Sequence, residues 1–142
     1  MTQGLIDAPA RATGMSVARI VLFSDNATTR HSIREAVGTT VADRGATIDW
    51  TEVATGVAAR TAAVDGGYDL AILDAEAGKL GGIAVARFVR DEATSPPPIL
   101  VLIARPQDAW LAAWSGAEET LVYPADPFEV ARVVSRMLGT DA

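Results

Sequence analysis

Two aspartates stand where short apolar runs stop. Asp25 follows ARIVLF (18–23) by way of Ser24, and Asp74 closes YDLAILD (68–74). If both runs are parallel strands, their carboxyl ends open on the crevice where α/β sheets bind ligands. Two carboxylates then face one site. Taken alone, Asp74 suits a strand-terminal carboxylate that caps nearby amides, and Asp25 a negative charge at a helix N-terminus. Other chemistries are closed off. The chain has no cysteine, which excludes thiolate nucleophiles, disulfides and cysteine metal sites, and its single histidine, His31, excludes a histidine metal cluster.

The rest of the composition describes a folded protein. At 142 residues, 49% hydrophobic and 21% charged, the chain has the apolar surface for one core and room for one domain. A net charge of −6 disfavours nucleic acid as a partner. No run approaches the roughly 18 apolar residues of a membrane span, so direct membrane insertion is not expected. Residues 1–17 mix Gly, Pro, Ala and polar residues without period and read as a flexible tail, with Leu5 and Ile6 as its one apolar handle. The expected location is the cytoplasm.

The elements that must position Asp25 and Asp74 are legible. ARIVLF (18–23), YDLAILD (68–74), PILVLI (98–103) and TLVY (120–123) are apolar without alternation, as buried parallel strands are. ATIDWTEVA (46–54) alternates and suits an edge strand. Helical segments separate them. The first is capped by Asn26 and stops at Gly38. The second carries Val57, Thr61 and Val64 on one stripe. The third, about Ile83 to Asp91, buries Ile83, Val85, Phe88 and Val89 before Ser95-Pro96-Pro97-Pro98 ends it. A fourth opens at Pro106 and ends before Gly116. The last has Asp126 as cap, Pro127 at its first position, Glu129 completing a capping box, and Gly139 at its close. The order βαβαβαβαβα predicts a flavodoxin-like (βα)5 three-layer sandwich over 18–139, with a parallel sheet in the order 2-1-3-4-5 and no output domain.

Over those residues the chain resembles the receiver domain of two-component response regulators. The resemblance rests on FSDN, on YDLAILD with its terminal Asp, on Gly82 eight residues later, on Gly116-Ala117, and on Tyr123-Pro124 before a capped last helix. It implies that Asp74 is a phosphoacceptor served by a histidine kinase. It also implies Mg²⁺ held by Asp25, Asp74 and the backbone of Glu76. Three pocket positions depart from the family pattern. Ser24 replaces the first acid of a pair, Ile103 replaces the Thr or Ser that bonds the phosphoryl group, and Tyr123 replaces a lysine. Ser24 removes a full charge from the metal site, Ile103 cannot hydrogen-bond an oxyanion, and Tyr123 supplies no cation. Lys79, the only lysine, and Arg105 are the candidate stand-ins, with solvated loop charges as their plainer role. Ala77-Gly78 stands where Met-Pro is common.

Trp110 and Trp114 lie four residues apart, on one helical face. Such a pair commonly packs into a core, and partial burial is one reading. The other is that Ala109, Ala112 and Ala113 pack on the sheet and turn the tryptophans outward, on or beside the face of the fourth helix, fifth strand and fifth helix that the receiver resemblance implies for docking. His31 and Trp50 read as ordinary surface and edge-strand residues. The expected function is that of a non-enzymatic, stand-alone atypical receiver that docks on another protein, as a regulator or as a subunit of a larger assembly. The nearest alternative is a phosphorylatable single-domain regulator with an altered switch. From another class comes a flavodoxin-like FMN protein. Ser24, Thr28 and Thr29 faintly suggest its phosphate loop, but the glycine such a loop needs is missing.

Overall fold

Continuous apolar runs become strands buried on both faces, and that is how this sheet is built. The computed structural model describes residues 16–41, 46–77 and 81–139. Its strands are β1 (Val17–Phe23), β2 (Thr40–Val41), β3 (Ala46–Val53), β4 (Leu70–Asp74), β5 (Ile99–Ile103) and β6 (Glu119–Val122). The helices are α1 (Ala27–Val37), α2 (Gly56–Asp65), α3 (Gly82–Glu92), α4 (Ala109–Trp114, entered through a 3-10 turn at Pro106–Asp108) and α5 (Pro127–Met137).

The sheet order is β2-β3-β1-β4-β5-β6. Every pair is parallel except β2 with β3. Without β2, the five parallel strands lie in the predicted order 2-1-3-4-5, and the fold is the flavodoxin-like three-layer sandwich. The two-residue β2 was not anticipated. It pairs Thr40 with Thr47 and Val41 with Ala46, so β3 is an edge strand only beyond that point. Strand β1 also begins one residue early, at Val17, inside the segment expected to be tail. Leu5, Ile6, Gly78 and Lys79 lie outside the described residues.

Strand side chains alternate between two cores. Ile20, Leu22, Ile72, Leu100 and Leu102 pack with Ile33 of α1 and Val130, Val133 and Val134 of α5. On the other face Val21, Phe23, Leu73, Val101 and Ile103 meet Ala59 and Ala63 of α2, Val85 and Val89 of α3, and Ala112 of α4. Each large side chain so enclosed contributes about 1.5–3 kcal/mol of transfer free energy.

Three helix expectations need correction. In α2 the buried residues are Gly56, Ala59 and Ala63, while Val57 is 62% exposed. Small residues let α2 lie close to its neighbours, and Arg60 of α2 stacks on Phe88 of α3 at 4.1 Å. In α3, Val85 and Val89 are buried with Gly82 and Ala86, whereas Ile83 and Phe88 are only partly covered. In α5, Asp126 caps Phe128 N as expected, but Glu129 pairs with Arg132 instead of closing a capping box.

Gly82 explains its own position. A Cβ there would lie 2.8 Å from the carbonyl carbon of Asp74 and 2.9 Å from its oxygen, so only glycine lets α3 start directly against the end of β4. Gly82→Ala should therefore lower stability by about 1–3 kcal/mol in urea denaturation, because backbone must move to admit the methyl group.

Candidate phosphoacceptor cleft

The site begins with register. Phe23 of β1 pairs with Leu73 of β4, so the residues that follow, Ser24 and Asp74, are neighbours at the carboxyl edge of the sheet. Ser24 is fully buried and Asp74 is 9% exposed. Ser24 Oγ donates to Asp74 Oδ2 at 2.7 Å, and the amide of Glu76 donates to Asp74 Oδ1 at 2.9 Å. Both carboxylate oxygens thus accept from groups fixed by the backbone. The amide of Asn26 donates to Ser24 Oγ at 3.1 Å.

Behind Ser24 stands a cationic brace that sequence reading missed. Arg30 Nη1 donates to the Ser24 carbonyl at 2.6 Å, and Arg30 Nε donates to Glu52 Oε1 at 2.9 Å. Arg34 Nη1 reaches the other Glu52 oxygen at 2.6 Å. These guanidiniums, Arg34 first and Arg30 after it, hold the Glu52 carboxyl below its usual pKa against an opposing desolvation effect. The α1 residues follow from the cap: Asn26 Oδ1 accepts from the amides of Thr28 and Thr29. Glu52 lies 22 residues from Arg30, and no local pattern links them.

In front lies a shallow cleft of about 240 Å³, lined by Asp25, Asn26, Thr29, Asp74, Glu76, Leu102, Ile103, Tyr123 and Pro124. Asp25, Asp74 and Glu76 are acidic residues of that lining, and among the described residues that line it none is basic. Ile103 is 2% exposed at the end of β5. Tyr123 is half-buried, donates its amide to the Ile103 carbonyl at 2.8 Å, and precedes a cis bond to Pro124. Arg105 does not enter: its guanidinium is held by Asp108 at 3.0 Å, 64% of its side chain is exposed, and that carboxylate raises its pKa.

This donor set fits a divalent cation poorly. Asp74 spends one lone pair of each oxygen on Ser24 and Glu76. Among the described residues no three acidic or histidine side chains converge as a metal site. The FMN reading fares no better, because the amides of Thr28 and Thr29 already serve Asn26 and Asp25 adds negative charge. Among the described residues no helix is long and apolar enough to cross a membrane.

The tryptophans lie elsewhere. Trp110 is 67% and Trp114 57% exposed, and of the alanines named with them only Ala112 is buried. Trp114 does not turn toward β6 and α5. Arg87 of α3 stacks over its ring at 5.0 Å and donates to its carbonyl at 3.2 Å. A groove of about 630 Å³ between α3 and α4 is lined by Ala75, Gly81, Ile83, Ala84, Arg87, Phe88, Asp91 and Trp114. Phe128, 86% exposed, was also missed, although it lies off the Val130–Val133–Val134 stripe of its helix.

Comparison with known proteins settles the family. No family model matches the chain. Uncharacterized response regulatory proteins from two strains of Mycobacterium tuberculosis are each 43% identical over 124 residues, which is 87% of this chain and 93% of theirs. The chain belongs to the response regulators, as a receiver domain. The receiver of the putative response regulator NarL from M. tuberculosis superposes with a TM-score of 0.73 at 22% identity, over 87% of this chain and 98% of that one. A receiver from a Pseudomonas aeruginosa sensor histidine kinase, with magnesium in its cleft, gives 0.70 at 24%, over 87% and 99%. TrrA of Thermotoga maritima, in complex with Mg²⁺ and BeF, gives 0.67 at 26%, over 84% and 98%. In this receiver Asp74 ends β4, and Ser24, Ile103 and Tyr123 stand at or just past the ends of β1, β5 and β6.

The brace behind Ser24 makes a pH prediction. Because the folded-state pKa of Glu52 is lowered, its stabilisation is complete above the unfolded carboxyl value and is lost as pH falls through the folded one. Urea melts of Glu52→Gln should show a deficit against wild type near neutral pH that shrinks and is lost as pH falls below the ordinary carboxylate range, where Glu52 is protonated in the folded state as well.

Proposed function

We propose that this receiver is a non-enzymatic docking module of the cytoplasm, that it acts through Trp110 and Trp114, and that it does so without phosphorylation of Asp74. The observation that carries the reading is the pair of tryptophans left exposed on one side of α4 while both cores close without them. Large aromatic side chains held on a rigid helix are the residues that most often dominate a protein interface. The interface takes in the α3 side of α4, where Trp114 meets Arg87, as well as the solvent side.

The cleft supports the second half of the reading. A phosphoryl donor is anionic, and the described residues that line the cleft include three acidic ones, Asp25, Asp74 and Glu76, and no basic one. Ile103 offers nothing to bond a phosphoryl oxygen, so a modified Asp74 would have no group to pull the β5 loop inward. Asp74 and Asp25 themselves speak for the alternative, a phosphorylatable regulator fed by a histidine kinase. Membership of a larger assembly is a form of the same docking function.

The test is affinity capture from the native cell with wild type, Trp110→Ala/Trp114→Ala and Asp74→Ala. The tryptophan variant should lower partner recovery by about 30-fold or more, the size of a hot-spot loss, with Asp74→Ala near wild type. Loss with Asp74→Ala alone would transfer the function to the phosphorylatable form. Both tryptophans are exposed, so the melting temperature should hardly change.

A further inference from the structure

A hydroxyl has one proton, and in Ser24 its direction is fixed. Asn26 donates its amide to Ser24 Oγ, so the oxygen accepts on that side and its own proton is left for Asp74 Oδ2, 2.7 Å away. The residue cannot swing aside. Its amide donates to the Val53 carbonyl at 3.3 Å, its carbonyl takes Arg30, and its side chain is fully buried. Arg30 is in turn fixed by Glu52. Across the carboxylate, the Glu76 amide holds Oδ1. Both oxygens of Asp74 therefore accept hydrogen bonds from donors of the protein itself.

We propose that Ser24 is a positioning residue that stands in for a divalent cation at Asp74, so that the cleft keeps its carboxylate in place and excludes Mg²⁺. A cation that sheds its water reluctantly needs concentrated charge from rigid oxygen ligands. Ser24 offers a dipole in place of a charge, and its proton lies on the oxygen a metal would take. Asp25 is exposed, and Asp25 and Glu76 do not converge with Asp74 into a metal-holding group. The inference deepens the docking reading by giving a physical reason for indifference to phosphodonors, but it stands or falls on a separate measurement.

That measurement is calorimetric titration of the full chain with MgCl₂, paired with amide NMR shifts of Asn26 and Glu76. Wild type should give no saturable heat and no shift in the millimolar range. Ser24→Asp, which adds a carboxylate beside Asp74, should bind Mg²⁺ at least about 10-fold tighter than wild type. Ser24→Ala keeps the packing but frees Oδ2, and should also bind more tightly than wild type; it decides the matter if the Asp variant does not fold. Saturation of wild type at the affinity of Ser24→Asp, or equal affinities of wild type and Ser24→Ala, would overturn the assignment. Neither result bears on capture through the tryptophans, so the two readings fail separately.

Discussion

The hydrogen bond from Ser24 Oγ to Asp74 Oδ2 joins the two innermost strands at their carboxyl ends, and the rest of the site is arranged around it. It forms because β1 and β4 are adjacent and in register, both wholly apolar where they meet, with Ile20, Val21, Leu22 and Phe23 opposite Leu70, Ala71, Ile72 and Leu73. Burial of those residues sets the depth at which the first polar side chains appear. At that depth an unpaired hydroxyl or carboxylate is costly, so Ser24 and Asp74 satisfy each other. Gly82 then lets α3 begin against the Asp74 backbone. Arg30 and Glu52 close the structure from behind.

From that constraint follows a division between two regions of the molecule. The strand ends form an acidic cleft in which Ser24 and both oxygens of Asp74 are already hydrogen-bonded. Two of the exposed large apolar side chains, Trp110 and Trp114, share instead α4, a short helix with one buried residue, Ala112. Arg87 and Arg90 reach from α3 to the carbonyls of Trp114 and Gly116, so the C-terminal end of α4 is tied to the α3 side. A surface anchored in this way is already ordered, and ordering cost is what pre-organisation saves when proteins associate.

Much of this was legible in the sequence because it is local. The apolar strand runs, the Asn26 and Asp126 caps, and the placing of Ser24, Asp25, Asp74, Ile103 and Tyr123 at strand ends follow from periodicity and topology. What stayed hidden depends on distance or on side-chain size. Arg30 meets Glu52 only because α1 packs beside the end of β3. The buried face of α2 is made of alanines, which periodic hydrophobicity underweights against Val57 and Val64. Strand β2 is two residues long, below what a pattern can signal. The contact of Trp114 with α3 was not legible because Arg87, on another helix, offers its guanidinium to the indole. Phe128 had a signal, since it falls outside the apolar stripe of α5.

The central claim is that this receiver keeps the acceptor carboxylate as part of its scaffold and not as a switch. Incubation of the full chain with a small phosphodonor and Mg²⁺, followed by intact-mass measurement and an acid-labile phosphate assay, tests this most directly. The account predicts an unmodified mass and no labile phosphate. A phosphoryl adduct that Asp74→Ala abolishes would contradict it.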